Sequence, residues 1–278
     1  MRILKNIFSK KDHLKVSLDI TAVDGICIAR KNDTIDEPFL IHLEERNSGK
    51  EKNALQISEI DMYHHFKILL DSDKYHFITN SKRTKNHMLK MLATIQLSDF
   101  IIKELRWMSR YPYHYHHTLA IVLMVIRILF DLYKDETEIK EVAADALSHD
   151  IGITRVPKDV LTKVSSLNDN EKNIISEHPV YSYLLLTYYW GDRENPNALL
   201  GYNHHENELG TGYPRGIIQN DSFAQYVQLC DIYDALRSDR PFRPALTMEQ
   251  AQEEIKRLVD DHLINPDAYS IFMKCFGK

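Results

Sequence analysis

His204-His205-Glu206-Asn207-Glu208-Leu209-Gly210-Thr211-Gly212-Tyr213-Pro214 sets two adjacent imidazoles directly before a glycine-rich turn. Neutral imidazole is the commonest protein metal ligand. Gly210 and Gly212 permit backbone angles and close approaches that a Cβ would forbid. Together they read as a metal site with a shaped loop beside it. The same residues also fit a surface loop that is merely rich in histidine, so the rest of the chain has to decide.

Outward from this stretch the pattern is helical. Amphipathic runs cover residues 88–108, 118–133, 138–149, 169–190 and 222–237, and strand signals stop at about Thr84. A further helix starts at Thr247, with Glu249 and Gln250 where a first turn favours acidic and capping residues. Before residue 80 the pattern differs. The stretch Leu14 to Ile20 alternates with period two, residues 25–30, 39–43 and 75–79 look strand-like, and residues 59–70 have helical spacing. The loop Asn47-Ser48-Gly49-Lys50 is polar and reads as exposed. The expected fold class is mostly α: a small α/β module over residues 1–90, then an all-helical domain over 91–278.

With 278 residues, 44% of them hydrophobic and 27% charged, the chain has the composition of a soluble globular protein. A net charge of −5 argues against binding long nucleic acid, which needs a basic surplus. No signal peptide is expected, because Lys10 and Lys11 interrupt the N-terminal stretch, and the apolar run Leu119 to Phe130 is too short to span a bilayer. Cys27, Cys230 and Cys275 are too widely spaced for a disulfide framework or a thiolate metal site. Cys230, just before Asp231, is expected to be a buried neutral thiol. A reducing, cytoplasmic location follows as the expectation.

The helical part carries the candidate ligands His117, His149, Asp150, His178, His204, His205 and Asp231, all at or near predicted helix ends. His149-Asp150 supplies an imidazole and a carboxylate from one helix end, and Gly152 and Pro157 close that helix and turn the chain. Each histidine alone has a plainer explanation as a capping or hydrogen-bonded core residue. His64, His65 and His76 read that way. His114 and His116 either line an entrance or pack on the surface.

From about Phe100 to its end the chain resembles the HD-GYP domain, the cyclic di-GMP phosphodiesterase branch of the HD superfamily. The resemblance rests on His117, the pair His149-Asp150, His178-Pro179, the run His204 to Pro214, then Asp231-Ile232-Tyr233-Asp234-Ala235-Leu236 and Arg240-Pro241-Phe242-Arg243, all in the family's order and spacing. It implies that His117, His149, Asp150, His178, His204, His205 and Asp231 hold two divalent metal ions, with Asp150 bridging and a bridging hydroxide attacking phosphorus. Paired metals lower the pKa of a bridging water and clamp phosphoryl oxygens. Nitrogen and carboxylate ligands without thiolate suit iron first and manganese second. Tyr113 stands where some members place a third-metal glutamate, so two metals are expected. Lys163 is retained as a candidate catalytic cation. Tyr213, Arg240 and Arg243 are candidate substrate contacts. Tyr213 equally suits loop anchoring, and a plainer reading of the arginines is ion pairing with Asp234 or Asp239.

Three positions depart from the family. Ile153 replaces a lysine beside the scissile phosphate, and losing one such donor costs about 10²–10³ in rate. Arg155 is long enough to reach back in its place. Leu209 replaces an acid in the signature, and Ser182 replaces a glycine after His178-Pro179, where a change of local packing is expected. The implied reaction is hydrolysis of cyclic di-GMP to pGpG, with or without a further step to GMP. Ile153 and Leu209 motivate the alternative of a catalytically weak or silent metal-containing receptor for a cyclic dinucleotide. In either case residues 1–90 would regulate the chain or mediate self-association or contact with a protein partner.

Overall fold

A computed structural model describes residues 14–47, 54–79, 81–239 and 243–277. The chain is mostly α-helical. In order it forms β1 (Leu14–Lys15), β2 (Ile20–Thr21), β3 (Cys27–Ala29), β4 (Thr34–Ile35), α1 (Glu37–Glu45), β5 (Ala54–Gln56), α2 (Met62–Asp71), α3 (Lys82–Ala93), β6 (Gln96–Ser98) and α4 (Asp99–Met108). There follow α5 (Pro112–Leu132), α6 (Glu136–Ser148), α7 (Lys158–Leu161), α8 (Asp169–Ser176), α9 (His178–Trp190), α10 (Pro196–Asn203), α11 (Ser222–Leu236), α12 (Met248–Asp260) and α13 (Pro266–Phe276). Tight 3-10 turns occupy Ile57–Glu59, His76–Ile78 and Ile151–Arg155. Two compact units interleave along the chain: one takes residues up to 50 with His149–Asn220, the other 51–148 with residues from Asp221 on. The boundary expected near residue 90 falls inside the second unit.

In the first unit α9 forms the core, buried from His178 to Tyr189 and packed on α1, β3, α10 and the turn Ile151–Arg155. The stretch expected to be one strand from Leu14 to Ile20 is split: β1 pairs antiparallel with β4 and β2 with β3. Residues 39–43, expected as a strand, are helical. Asp36 accepts a hydrogen bond from the Phe39 amide at 3.0 Å, and Pro38 in the first turn already has a helical φ, so these start signals override a short strand-like run. The expected helix 169–190 is two helices hinged at Glu177.

The second unit is organised around α5, whose residues 117–129 are all buried against α6, α11, α13, α2 and α4. By length and composition α5 could cross a membrane, which the shorter run Leu119 to Phe130 could not, but it is the core helix of this unit. The expected helix 88–108 is broken: Gln96–Ser98 pairs antiparallel with Ala54–Gln56, and the Ser98 side chain caps α4. Within residues 75–79 the chain forms the 3-10 turn His76–Ile78, not a strand. At Thr247 the expected helix start is present, with a reciprocal capping box to Gln250. Residues 48–50 of the polar loop, and Arg240-Pro241-Phe242, lie outside the described residues.

Candidate metal centre

In the first unit three histidines converge. His178, His204 and His205 each offer a ring nitrogen within 4.8 Å of the others. Nε2 of His178 lies 3.2 Å from Nε2 of both His204 and His205, and Asp150 Oδ1 lies 3.2 Å from the same His178 nitrogen. Opposite ring nitrogens fix the tautomers. His178 Nδ1 donates to the Ile175 carbonyl at 2.7 Å and His204 Nδ1 to the Gly201 carbonyl at 2.9 Å. Their Nε2 atoms therefore face each other as lone pairs, an arrangement that a cation relieves. Burial, then the His205, His149 and His178 rings, hold His204 well below the usual imidazole pKa, which keeps it a neutral ligand. His149, 1% exposed, sets its ring edge-on to His204 at 4.9 Å. Nitrogen and carboxylate donors closing on one point suit a divalent metal.

The backbone holds these residues by close contacts. His149 and Asp150 follow the end of α6 and open the 3-10 turn. Next in that turn, a Cβ at Gly152 would overlap the His178 carbonyl and the Ser182 amide, so the turn lies directly on α9. Ser182, the departure expected only to change packing, accepts the Gly152 amide at 2.9 Å and is fully buried. The hydroxyl thus ties the turn carrying Asp150 to the helix carrying His178.

The loop after His205 is built by Glu206 and Asn207. Glu206, 0% exposed, accepts the amides of Arg215, Gly216 and Ile217 at 2.7, 3.1 and 3.0 Å. Asn207 Oδ1 accepts those of Leu209 and Thr211. A Cβ at Gly212 would overlap the His205 carbonyl and the Glu206 Cα. The loop is therefore fixed without an acid at 209, and Leu209 is 51% exposed. Tyr213 stacks on His205, ring centroids 4.6 Å apart.

In the second unit His117 sits in the second turn of α5 between two carboxylates of α11: Nε2 is 2.7 Å from Asp231 Oδ1 and Nδ1 is 2.6 Å from Asp234 Oδ2. Burial alone would lower its pKa, but the two carboxylates outweigh that and raise it to about 10. Tyr113 stacks on the His117 ring at 5.6 Å. Asp234 was not among the expected site residues. The signal was its spacing from Asp231, i and i+3, which places both carboxylates on one helix face. Cys230 is fully buried, and burial pushes its thiol pKa well up, so it stays neutral.

The expected cations are engaged within the fold. Arg155 donates from Nε to the Thr21 carbonyl at 2.8 Å and from Nη1 to Thr154 Oγ1, bonds that a reach toward a phosphate would break. Lys163 Nζ lies 2.6 and 2.8 Å from the two Glu171 oxygens. Arg243 donates to the Ala235 and Leu236 carbonyls at the end of α11, the placement a cation favours at a helix C-terminus, and not to Asp234 or Asp239. Ile153, 3% exposed, packs as an apolar residue. Arg240 lies outside the described residues.

The chain is similar to several known proteins. A protein named cyclic di-GMP phosphodiesterase from Pseudomonas aeruginosa is 31% identical over 171 residues, 59% of this chain and 40% of that protein. The cyclic di-GMP phosphodiesterase response regulator RpfG of Xanthomonas campestris is 36% identical over 122 residues, 43% of this chain and 32% of that one. A cyclic di-GMP phosphodiesterase of Thermotoga maritima is 28% identical over 162 residues, 58% and 44% respectively. The chain spans less than half the length of these relatives. The HD domain family profile matches residues 68–267, a span that contains His117, the His149-Asp150 pair, the histidine cluster and Asp231. The chain belongs to the HD domain family.

Proposed function

We propose that the chain is a metal-dependent phosphodiesterase of the HD-GYP branch that hydrolyses cyclic di-GMP to pGpG, with GMP as the alternative end product. The observation that carries this reading is the convergence of the His178, His204 and His205 nitrogens on one point beside Asp150. The names of the relatives support the substrate. His149, Asp150, His178, His204 and His205 of the first unit would supply ligands to one divalent ion, and His117 and Asp231 of the second to another, iron first and manganese second. Such ions supply Lewis acidity to a phosphoryl oxygen and acidify a bound water. The chain's own residues set the rest. Carbonyl bonds from His178 and His204 hold two imidazoles neutral and aimed. Asp234 holds His117. Tyr213, 37% exposed on top of His205, offers an aromatic face to a nucleobase.

A second reading, a metal-containing receptor that binds the cyclic dinucleotide without cleaving it, is favoured by the apolar burial of Ile153 where the resemblance expects a lysine. Protein loaded anaerobically with iron or manganese and mixed with cyclic di-GMP decides between them. Linear product over multiple turnovers supports the enzyme, tight binding without product the receptor, and neither outcome overturns both.

A further inference from the structure

Lys74 and Tyr75 lie between α2 and the turn His76–Ile78, outside every motif named above. Tyr75 is 5% exposed, and its hydroxyl donates to Asp234 Oδ1 at 2.7 Å. Lys74 Nζ stands 3.4 Å from the same oxygen and donates to Ser238 Oγ at 2.7 Å. Ser238 donates in turn to Asp234 Oδ2 at 3.3 Å, the oxygen that also takes His117 Nδ1 at 2.6 Å. Asp234 is 1% exposed, so these protein groups, not bulk water, fix its carboxylate.

The geometry has a mechanical consequence. The terminal torsion of an aspartate is broad and soft, so an unanchored carboxylate rotates easily. A histidine that takes its orientation from that carboxylate rotates with it. Partners of this kind commonly change metal affinity about 10–100-fold when removed. We propose that Lys74 and Tyr75 are positioning residues that lock Asp234, and through it the His117 ring, and so set the metal affinity of the His117–Asp231 pair. The proposal rests on the metal reading above. Burial, then the Asp234 charge, raises the Tyr75 pKa far above the usual phenol, so its hydroxyl remains a donor. Lys74 borders a cavity of about 260 Å³, also lined by Tyr113, His116 and His117, and its side chain is 36% exposed, so it is replaceable without burying a new group.

The test titrates the full, metal-free chain with Co²⁺ and follows the visible ligand-field absorption. Wild type is expected to bind two ions. His204→Ala should remove one of these events and thereby identify the other as belonging to His117–Asp231. Tyr75→Phe should weaken that second event about 10-fold and change its band shape while leaving the first unchanged. Lys74→Gln should act in the same direction by about 3-fold, and Lys74→Arg should restore wild-type binding. If Tyr75→Phe fails to fold, judged by circular dichroism, Lys74→Gln and its rescue decide. Unchanged affinities in the variants, or equal weakening of both events, overturn the positioning role while the metal reading stands. A wild-type chain that binds no Co²⁺ overturns the metal reading and the proposal with it.

Discussion

The two groups of candidate ligands solve the same problem with opposite electrostatics. In the first unit, imidazoles face imidazoles, backbone carbonyls take the outer N–H groups, and His204 is kept neutral. In the second unit one imidazole lies between two carboxylates and is held as a cation, with a pKa raised to about 10. The histidine cluster presents lone pairs and is ready for a cation. The His117 pair already holds one, a proton, and a metal must displace it. Chemically similar ligands can thus differ in pH dependence through the atoms behind them.

The largest expected effect is at the cluster. His204→Ala deletes one of the converging nitrogens and should lower turnover of cyclic di-GMP by more than about 100-fold, above the cost of losing an outer partner. Binding at His117–Asp231 should survive. Steady-state kinetics with metal analysis checks both, and full retention of metal would break the comparison.

Next in size is pH. Displacing the His117 proton should release about one proton per ion, and affinity at that pair should rise about tenfold per pH unit below the His117 pKa. Calorimetry in buffers of different ionisation enthalpy measures this. The metal-free protein gives a matching stability signature. His117 has a raised pKa, so its contribution is complete below 6.5 and is lost as pH climbs through about 10. His204 has a lowered pKa, so its contribution is present above 6.5 and declines as pH falls below that value. Thermal unfolding of metal-free protein across pH should therefore fall off on both sides, with His117→Ala flattening the alkaline side and His204→Ala the acid side.

A smaller effect sharpens the role of the backbone. Ser182→Ala leaves the buried Gly152 amide without its partner and should cost about 1–3 kcal/mol in chemical denaturation. Weaker metal binding should then appear at the cluster alone. Smallest of all, Leu209→Asp should stay within about 0.5 kcal/mol of wild type, because the side chain is exposed and Asn207 and Glu206 already take the loop amides. A large gain in activity from Leu209→Asp would show that an acid there acts on more than the loop.

Much of the site was legible in the sequence because its residues are contiguous or helix-spaced. The histidine pair and glycine turn, the His149-Asp150 pair and the Thr247 cap all depend on neighbours within a few residues. What was missed depends on distant partners. The pairing of Gln96–Ser98 with Ala54–Gln56 leaves no periodicity in either segment, so one long helix was expected where a strand intervenes. The Tyr75 bond to Asp234 spans 159 positions. Residues 39–43 are a different case: the start signals Asp36 and Pro38 stand directly before a short strand-like run and override it. Arg155 shows the limit of reach arguments, since length permits many partners and Thr21 is the one it meets.

The bonds from the connections between the N-terminal strands also bear on how this domain can be cut. Ser17 donates its amide and hydroxyl to Glu177, the residue before His178, and the Val23 amide donates to the Tyr189 hydroxyl. A fragment excised at the start of the family-matched span, residue 68, would strip these donors from α9 together with the Thr21 carbonyl that receives Arg155. The compact unit that holds the histidine cluster therefore extends outside the family-matched span, and it is discontinuous in sequence.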